Sequence, residues 1–318
     1  MSPPFQITAE ILALTGKIER RLGRLEGFHT PKPQPQLRKS NRVRTLQGSL
    51  AIEGNSLELE QVTALLDGKK ILGPKDDIAE ILNANQAYEQ FKKLNPLDQK
   101  HLLKTHRLMM KGLIPDAGKW RSSNVGIQKK GQITHMAPPA RRVPALMAEL
   151  FSFLEGDDHQ LIQGCVFHYE SEFIHPFSDG NGRLGRFWHT LLLYRFHRVF
   201  EYIPVESIIQ AHQQEYYNAL ETSDNAGEST HFIEFSLQMI LEALEEFLST
   251  FRSKAPGPND RLDGARAEFR KRWFTRKDYL TLHKTISTAT ASRDLKAGVT
   301  QDLLEIEGMK AVSRYRFL

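Results

Sequence analysis

Residues 175–186 read HPFSDGNGRLGR. Several of these residues suit the handling of a phosphate ester. His175 titrates near neutrality, so its imidazole can take a proton as a general base. Asp179 is a hard oxygen ligand of the kind that holds Mg²⁺ together with substrate phosphates. Gly180-Asn181-Gly182 leads into an expected helix, whose free N–H groups and positive dipole end make an anion cradle. Arg183 and Arg186 lie three apart, so both project from one face of that helix's first turn. Phe177 is expected to pack inward and anchor the loop. Taken singly, each has an ordinary reading: turn glycines, a capping aspartate, a structural histidine, surface arginines. Gathered in twelve residues, a base, a metal carboxylate, a phosphate cradle and two arginines make chance assembly the strained reading.

These groups need a frame, and the sequence supplies a mainly helical one. Helical periodicity dominates to about residue 250. Thr8 can cap a helix whose apolar stripe runs through Ile11, Leu14 and Ile18. After a break at Pro31 to Pro35, a second helix spans about 36–52 and stops at Gly54-Asn55. Ser56 is expected to cap the next helix. Further helices are expected near 75–93, 97–112, 144–155, 159–174, 182–197, 205–222 and 229–250. The helix over 159–174 ends at Ile174, because His175 precedes Pro176 and is biased away from helical dihedrals. Trp120 to Val143 holds short β-prone runs around Lys130-Gly131, which predicts a β-hairpin with an extended tail. Residues 253–264 are rich in Pro, Gly and Asp and predict a linker. Beyond it, residues 274–283 predict a short helix capped by Thr275, and 287–297 a second helix starting at Ser287. Two strands joined at Gly308 are expected to follow.

The chain has 318 residues, enough for one sizeable core and a small second domain. No apolar run approaches the roughly 18 residues of a membrane span, and the N-terminus lacks the layout of a signal peptide. The single cysteine, Cys165, cannot form an internal disulfide. A reducing cytoplasm and no membrane partner are therefore expected. The net charge of +5 is unevenly placed: residues 255–318 carry 13 Lys/Arg against 8 Asp/Glu, and the rest carries 30 against 30. A basic module on a neutral body suggests an anionic partner, nucleic acid first.

The run from His175 to Arg186 resembles the signature of the Fic family, HPFx(D/E)GNGRxxR, and matches it at every fixed position. The resemblance extends over roughly residues 35–250. It implies a Fic-type helical core with a small β-hairpin flap, ATP as the donor, and transfer of AMP to a protein hydroxyl with release of pyrophosphate. On this resemblance His175 is the base and Asp179 holds Mg²⁺. Gly180, Asn181, Gly182 and Arg183 cradle phosphates, and Arg186 meets the γ-phosphate. The hairpin 125–136 resembles the family's flap, placing Ile133, Thr134 and His135 beside the site. The flap would pair with an extended, hydroxyl-bearing segment of a target protein. Tyr217 and Asn225 resemble nucleotide-side residues that contact adenine or ribose.

Upstream, Ser49 and Glu53 lie four apart on one helical face, with Gly54 next. This resembles the family's (S/T)xxxE(G/N) inhibitory helix and implies that Glu53 pairs with Arg186. The last stretch resembles a winged helix-turn-helix domain. If it binds DNA, Thr288, Thr290, Ser292 and Arg293 would face the major groove, with Lys310 and Arg314 on phosphates. The expected domains are N-terminal helices over 1–112, a catalytic core over 113–252, the linker 253–264 and the winged helix over 265–318. Other readings stay open: a DNA-binding regulator that uses the Fic body as a nucleotide sensor, or a Fic enzyme with another phosphate-containing donor or with de-AMPylating activity. A homodimer is compatible with the sequence.

Overall fold

In a computed structural model of the chain, residues 3–27, 35–129, 132–252, 257–284, 286–308 and 313–318 are described. The chain divides into two compact units, Met1–Phe247 and Leu248–Leu318. The first unit is helical. It comprises α1 (Ala9–Gly27), α2 (Pro35–Ile52), α3 (Leu59–Leu66), α4 (Lys75–Gln90), α5 (Gln99–Met109), the hairpin β1 (Gly126–Lys129) and β2 (Gln132–Met136), then α6 (Val143–Phe153), α7 (Gln160–Ile174), α8 (Asn181–Phe196), α9 (Val205–Ala211), α10 (Gln213–Ala226) and α11 (Thr230–Arg252). The division between the units falls inside α11.

The α7–α8 pair is the centre of this unit. Residues 161–169 of α7 are buried without a break, as is the run from Arg183 to Leu193 of α8. Leu184, Phe187, Trp188, Leu191 and Leu192 of α8 recur at helical spacing and form one apolar stripe, while its other buried positions include the polar Arg183, Arg186, His189 and Thr190. Trp188 keeps its polar end satisfied by donating Nε1–H to the Pro96 carbonyl at 3.1 Å. Around this pair, α2 packs on α3, α4, α8 and α9. Thr8 does cap α1, its Oγ1 accepting from the Ile11 N–H at 3.1 Å.

Several local expectations are corrected. Ser56 does not cap α3. Its N–H and hydroxyl both bond Asp77 Oδ2, and Glu58 caps the helix through a capping box with Gln61. The helix expected over 205–222 is two helices, α9 and α10, broken at His212 (φ −108°, ψ 35°). Asn225 is therefore a residue of α10, and the turn begins at Gly227 (φ 69°).

The second unit orders its elements as α12 (Pro258–Phe269), β3 (Phe274–Thr275), α13 (Arg276–Leu282), α14 (Thr288–Thr300), β4 (Leu304–Glu307) and β5 (Arg314–Phe317). The antiparallel sheet runs β3-β5-β4, with Phe274 opposite Tyr315 and Leu304 opposite Phe317. The linker expected over 253–264 is, from Pro258 onward, the start of α12. Proline is favoured at a helix's first position, and Asp260 accepts the Gly257 N–H at 2.9 Å. Thr275 caps α13 and Ser287 caps α14. The apolar core joins Leu262, Ala265, Phe274, Tyr279, Ala291, Leu295, Leu304 and Phe317. Inside it, the Arg261 fork meets the Asp294 carboxylate at 2.6 and 2.9 Å, a bidentate geometry suited to a buried pair.

No helix among the described residues is long and apolar enough to cross a membrane. His189, within α8, has the acid-sensitivity expected of a buried imidazole. Burial pushes it down to about 3, so it stays neutral in the fold while the unfolded chain takes up a proton below about 6.5. A depressed folded value means stability is retained above 6.5 and lost as pH falls toward the folded value. Between pH 6.5 and 5, wild type should lose up to about 2 kcal/mol relative to His189→Phe. Paired urea titrations at several pH values measure this, and a constant difference between the two proteins would refute it.

Candidate active site

α7 ends in an unusual turn. His175 takes left-handed dihedrals, φ 50° and ψ 62°, while its N–H still bonds the Ser171 carbonyl at 3.1 Å. The expected departure from helix is there, but into a region rarely occupied by non-glycine residues. Such strain persists where surrounding contacts over-determine it. Phe177 is fully buried, as expected. Its ring lies on His106 with centroids 3.6 Å apart. Asn181 closes the loop from the other side. Its Oδ1 accepts the Phe177 N–H at 2.8 Å and its Nδ2 donates to the Phe177 carbonyl at 3.0 Å. The Asn181 side chain therefore shapes the loop.

Gly180 caps α8 at φ 84°. A Cβ there would sit 2.5 Å from Met110 Sδ, so both dihedral and space demand glycine. Asp179 holds this end together. Its Oδ1 accepts the Gly180 N–H at 2.5 Å and the Arg183 Nη2–H at 2.7 Å. The Asp179 side chain is 56% exposed, so a hard carboxylate is within reach of solvent at the mouth of the cradle. Among the described residues no group of three or more His, Cys, Asp or Glu is placed to hold a metal. A single carboxylate suits Mg²⁺, which is commonly held by one or two carboxylates plus substrate phosphates.

Both signature arginines are deeply buried, and each meets an acid from outside the signature. The Arg183 Nη1–H bonds Glu80 of α4. Arg186 donates Nη2–H to Glu53 Oε1 at 2.7 Å and to the Ser49 carbonyl at 2.8 Å, and Nε–H to Ser49 Oγ at 3.2 Å. Burial opposes the Arg186 charge most strongly, but Glu53, Tyr216 and Glu172 together hold the guanidinium above its usual value. Asn55 joins the two acids' surroundings. Just beyond Glu53, it donates Nδ2–H to Glu80 Oε2 at 2.9 Å. Burial pushes the nearby Glu172 carboxyl up to about 8.

Tyr217 is placed against α2. Its hydroxyl donates to the Ile52 carbonyl at 3.1 Å, and Gln213 Nε2 reaches the same carbonyl at 3.1 Å. Asn225 is exposed on the last turn of α10, about two turns beyond Tyr217. No described contact brings Asn225 to the signature loop. Ile133, Thr134 and His135 lie on β2, which pairs with β1 through His135 opposite Ile127 and Ile133 opposite Gln128. Of the tail candidates, Thr288 and Arg293 are exposed and Thr290 half-buried on α14, and Arg314 is exposed on β5. Lys310 lies outside the described residues.

Three site residues escape a sequence reading. His106 is fully buried between the loop and residue 118. Its Nδ1 accepts the Gly118 N–H at 2.8 Å, which leaves Nε2–H to donate to the Asp179 carbonyl at 2.9 Å. Burial pushes His106 down to about 4, and the neutral tautomer is the one this bonding needs. Glu80 grips Arg183. Arg121 is buried against the main chain of the His175 turn. All three lie far from the signature in sequence, and nothing in their local spacing marks them.

The sequence model of the Fic/DOC family matches residues 96–193. The crystal structure of a Fic family protein from Desulfovibrio desulfuricans G20 is 37% identical, with a TM-score of 0.75 over 100% of this chain and 98% of that one. Curated proteins named "Protein adenylyltransferase Fic" also match. The one from Culex quinquefasciatus is 28% identical over 272 residues, covering 80% of this chain and 52% of its own length. The one from Aedes aegypti is 29% identical over 223 residues, 66% of this chain and 42% of its own length. The chain thus spans about half the length of these curated relatives.

Gly48 sets how closely α2 approaches α9. A Cβ there would fall 2.8 Å from the Ser207 Cα, a main-chain atom. Gly48→Val should force the helices apart and destabilise the fold by about 2 kcal/mol. Urea denaturation of the two proteins tests it, and an unchanged midpoint would refute the close-approach role.

Proposed function

Because the chain belongs to the Fic family, we propose that it is a protein adenylyltransferase, moving AMP from ATP to a Ser, Thr or Tyr hydroxyl of a target protein. One observation carries this reading: base, carboxylate, helix N-terminus and both arginines converge on a single loop whose backbone is pinned from several sides. Phosphoryl-type transfer needs little more than such preorganised charge and position.

On this reading ATP phosphates lie on the Gly180-Asn181-Gly182 turn, replacing Asp179 Oδ1 at the Gly180 N–H, beside Arg183, and the γ-phosphate meets Arg186. Asp179 would hold Mg²⁺ at this site, and the ion would supply positive charge to the phosphates. His175 takes the proton of the target hydroxyl. That oxygen bonds to the α-phosphorus, the bond from the α-phosphorus to the α,β-bridging oxygen breaks, and pyrophosphate leaves. The target segment adds as an extended strand to the β1–β2 hairpin, whose main-chain groups suit such pairing.

The site is held back in this state. Ser49 and Glu53 take the Nη2–H donors of Arg186, and the Glu53 carboxylate would repel a γ-phosphate brought to the same guanidinium. Glu80 does the same for Arg183, and Asn55 ties Glu80 to the end of α2. Tyr217, which on this reading contacts adenine or ribose, also bonds the Ile52 carbonyl at the carboxyl end of α2. The element order of the second unit and the exposed Arg293 and Arg314 support a winged helix-turn-helix that reads DNA. This favours a regulatory role for the tail beside the enzymatic body.

With labelled ATP and Mg²⁺, Glu53→Gly should self-modify at least about tenfold faster than wild type, yet melt at a lower temperature, because Arg186 loses a charge-assisted bond worth about 2 kcal/mol. Adding His175→Ala should abolish that labelling while ATP still binds. Labelling unchanged by Glu53→Gly removes the inhibitory role, and labelling that survives His175→Ala removes the base. For the tail, a mobility shift with duplex DNA should weaken steeply with salt; no shift even at low salt argues against DNA binding.

A further inference from the structure

Arg121 is only 3% exposed, and every partner its fork meets is a main-chain carbonyl. Nε–H donates to His175 O at 2.7 Å, one Nη2–H to Ile174 O at 3.2 Å and the other to Pro138 O at 2.5 Å, and Nη1–H to Ser123 O at 2.9 Å. The Arg121 main-chain N–H adds a bond to Pro176 O at 3.0 Å. Burial lowers its affinity for a proton, yet arginine remains charged in proteins. A cation is thus held inside the molecule by carbonyl dipoles alone among its described bonds.

The positions of those carbonyls give the residue its meaning. Ser123 lies just before β1 and Pro138 just after β2, so the two ends of the hairpin converge on Arg121. Ile174, His175 and Pro176 form the left-handed turn that aims the candidate base. One rigid fork therefore joins the foot of the hairpin to the backbone of His175. A planar guanidinium with five donors in fixed directions can make this junction; a lysine ammonium, a single point, cannot span it.

Resting on the adenylyltransferase reading above, we propose that Arg121 is a positioning residue that fixes His175 relative to the hairpin, and so sets the base against a hydroxyl presented on that hairpin. Its described bonds reach neither the nucleotide cradle nor an acid. Loss of the fork should consequently impair alignment for transfer while leaving ATP binding in place.

The test uses the full chain carrying Glu53→Gly, with and without Arg121→Lys or Arg121→Gln, and follows self-modification over a range of ATP concentrations. Both variants should lower kcat by about 100-fold, the scale of loss that a misplacement of about 1 Å produces, with the KM for ATP within about threefold of the parent. Cooperative melting is recorded in parallel. Unchanged kcat overturns the proposal. So does full activity in Arg121→Lys, because charge without the fork would then suffice. Loss of ATP binding or of cooperative melting alongside kcat also overturns it, by making Arg121 a support of the whole fold. If the Glu53→Gly parent itself transfers nothing, the adenylyltransferase reading fails instead.

Discussion

A guanidinium buried at 1% exposure on the central helix must be matched by fixed partners, and much of the first unit is arranged around that demand at Arg186. An uncompensated charge at this depth is prohibitively costly. α2 supplies the match through the Ser49 carbonyl, the Ser49 hydroxyl and Glu53. To deliver them the helix must lie hard against α9, which Gly48 permits, and must end directly after Glu53, which Gly54 achieves at φ 92°. Gly182 completes the fit, because a side chain there would run into both Glu53 Oε1 and Arg186. Carboxylate and phosphate answer the same electrostatic demand. On the proposed function, a nucleotide phosphate would take over from Glu53 as the anion that this buried arginine needs.

The second arginine repeats the logic with different parts. Arg183 lies between Glu80 and Asp179, and Glu80 also receives the Asn55 amide. The segment 53–55 therefore reaches both arginines, one directly and one through Glu80. A shift of this short segment disturbs the acid partners of two buried arginines together. Groups that share partners are coupled and respond non-additively, so a substitution at one arginine's acid should be felt at the other.

Legibility in the sequence follows the range of the interactions. The signature loop is readable because its chemistry is local: Pro176 bars the helix from continuing, glycine permits φ 84° at Gly180, and Arg183 and Arg186 share a face by spacing alone. The caps at Thr8, Thr275 and Ser287 are readable for the same reason. Ser56 misleads because a distant acid, Asp77, offers its hydroxyl a better partner than the helix does. The break at His212 and the helical run from Pro258 are likewise decided by packing and capping that no periodicity records. His106, Glu80 and Arg121 are invisible because a buried histidine, a helix glutamate and an arginine beside a tryptophan acquire meaning only once other segments fold against them.

Those three residues also show why the signature alone does not make a site. It supplies the reacting groups on a loop with one strained residue and two glycines, a backbone with little stiffness of its own. Rigidity arrives from His106 and Arg121 at the loop and from Glu80 at Arg183. A neutral histidine holds the Asp179 carbonyl because burial keeps it uncharged and fixes its tautomer. A charged arginine holds the carbonyls of Ile174 and His175 because only its fork spans them. The choice of a neutral group at one end and a cation at the other is physically consistent. A second positive charge beneath Asp179 would compete with Arg183 for its carboxylate, whereas residues 174–177 at the His175 turn include no acid whose pairing a buried cation would disturb.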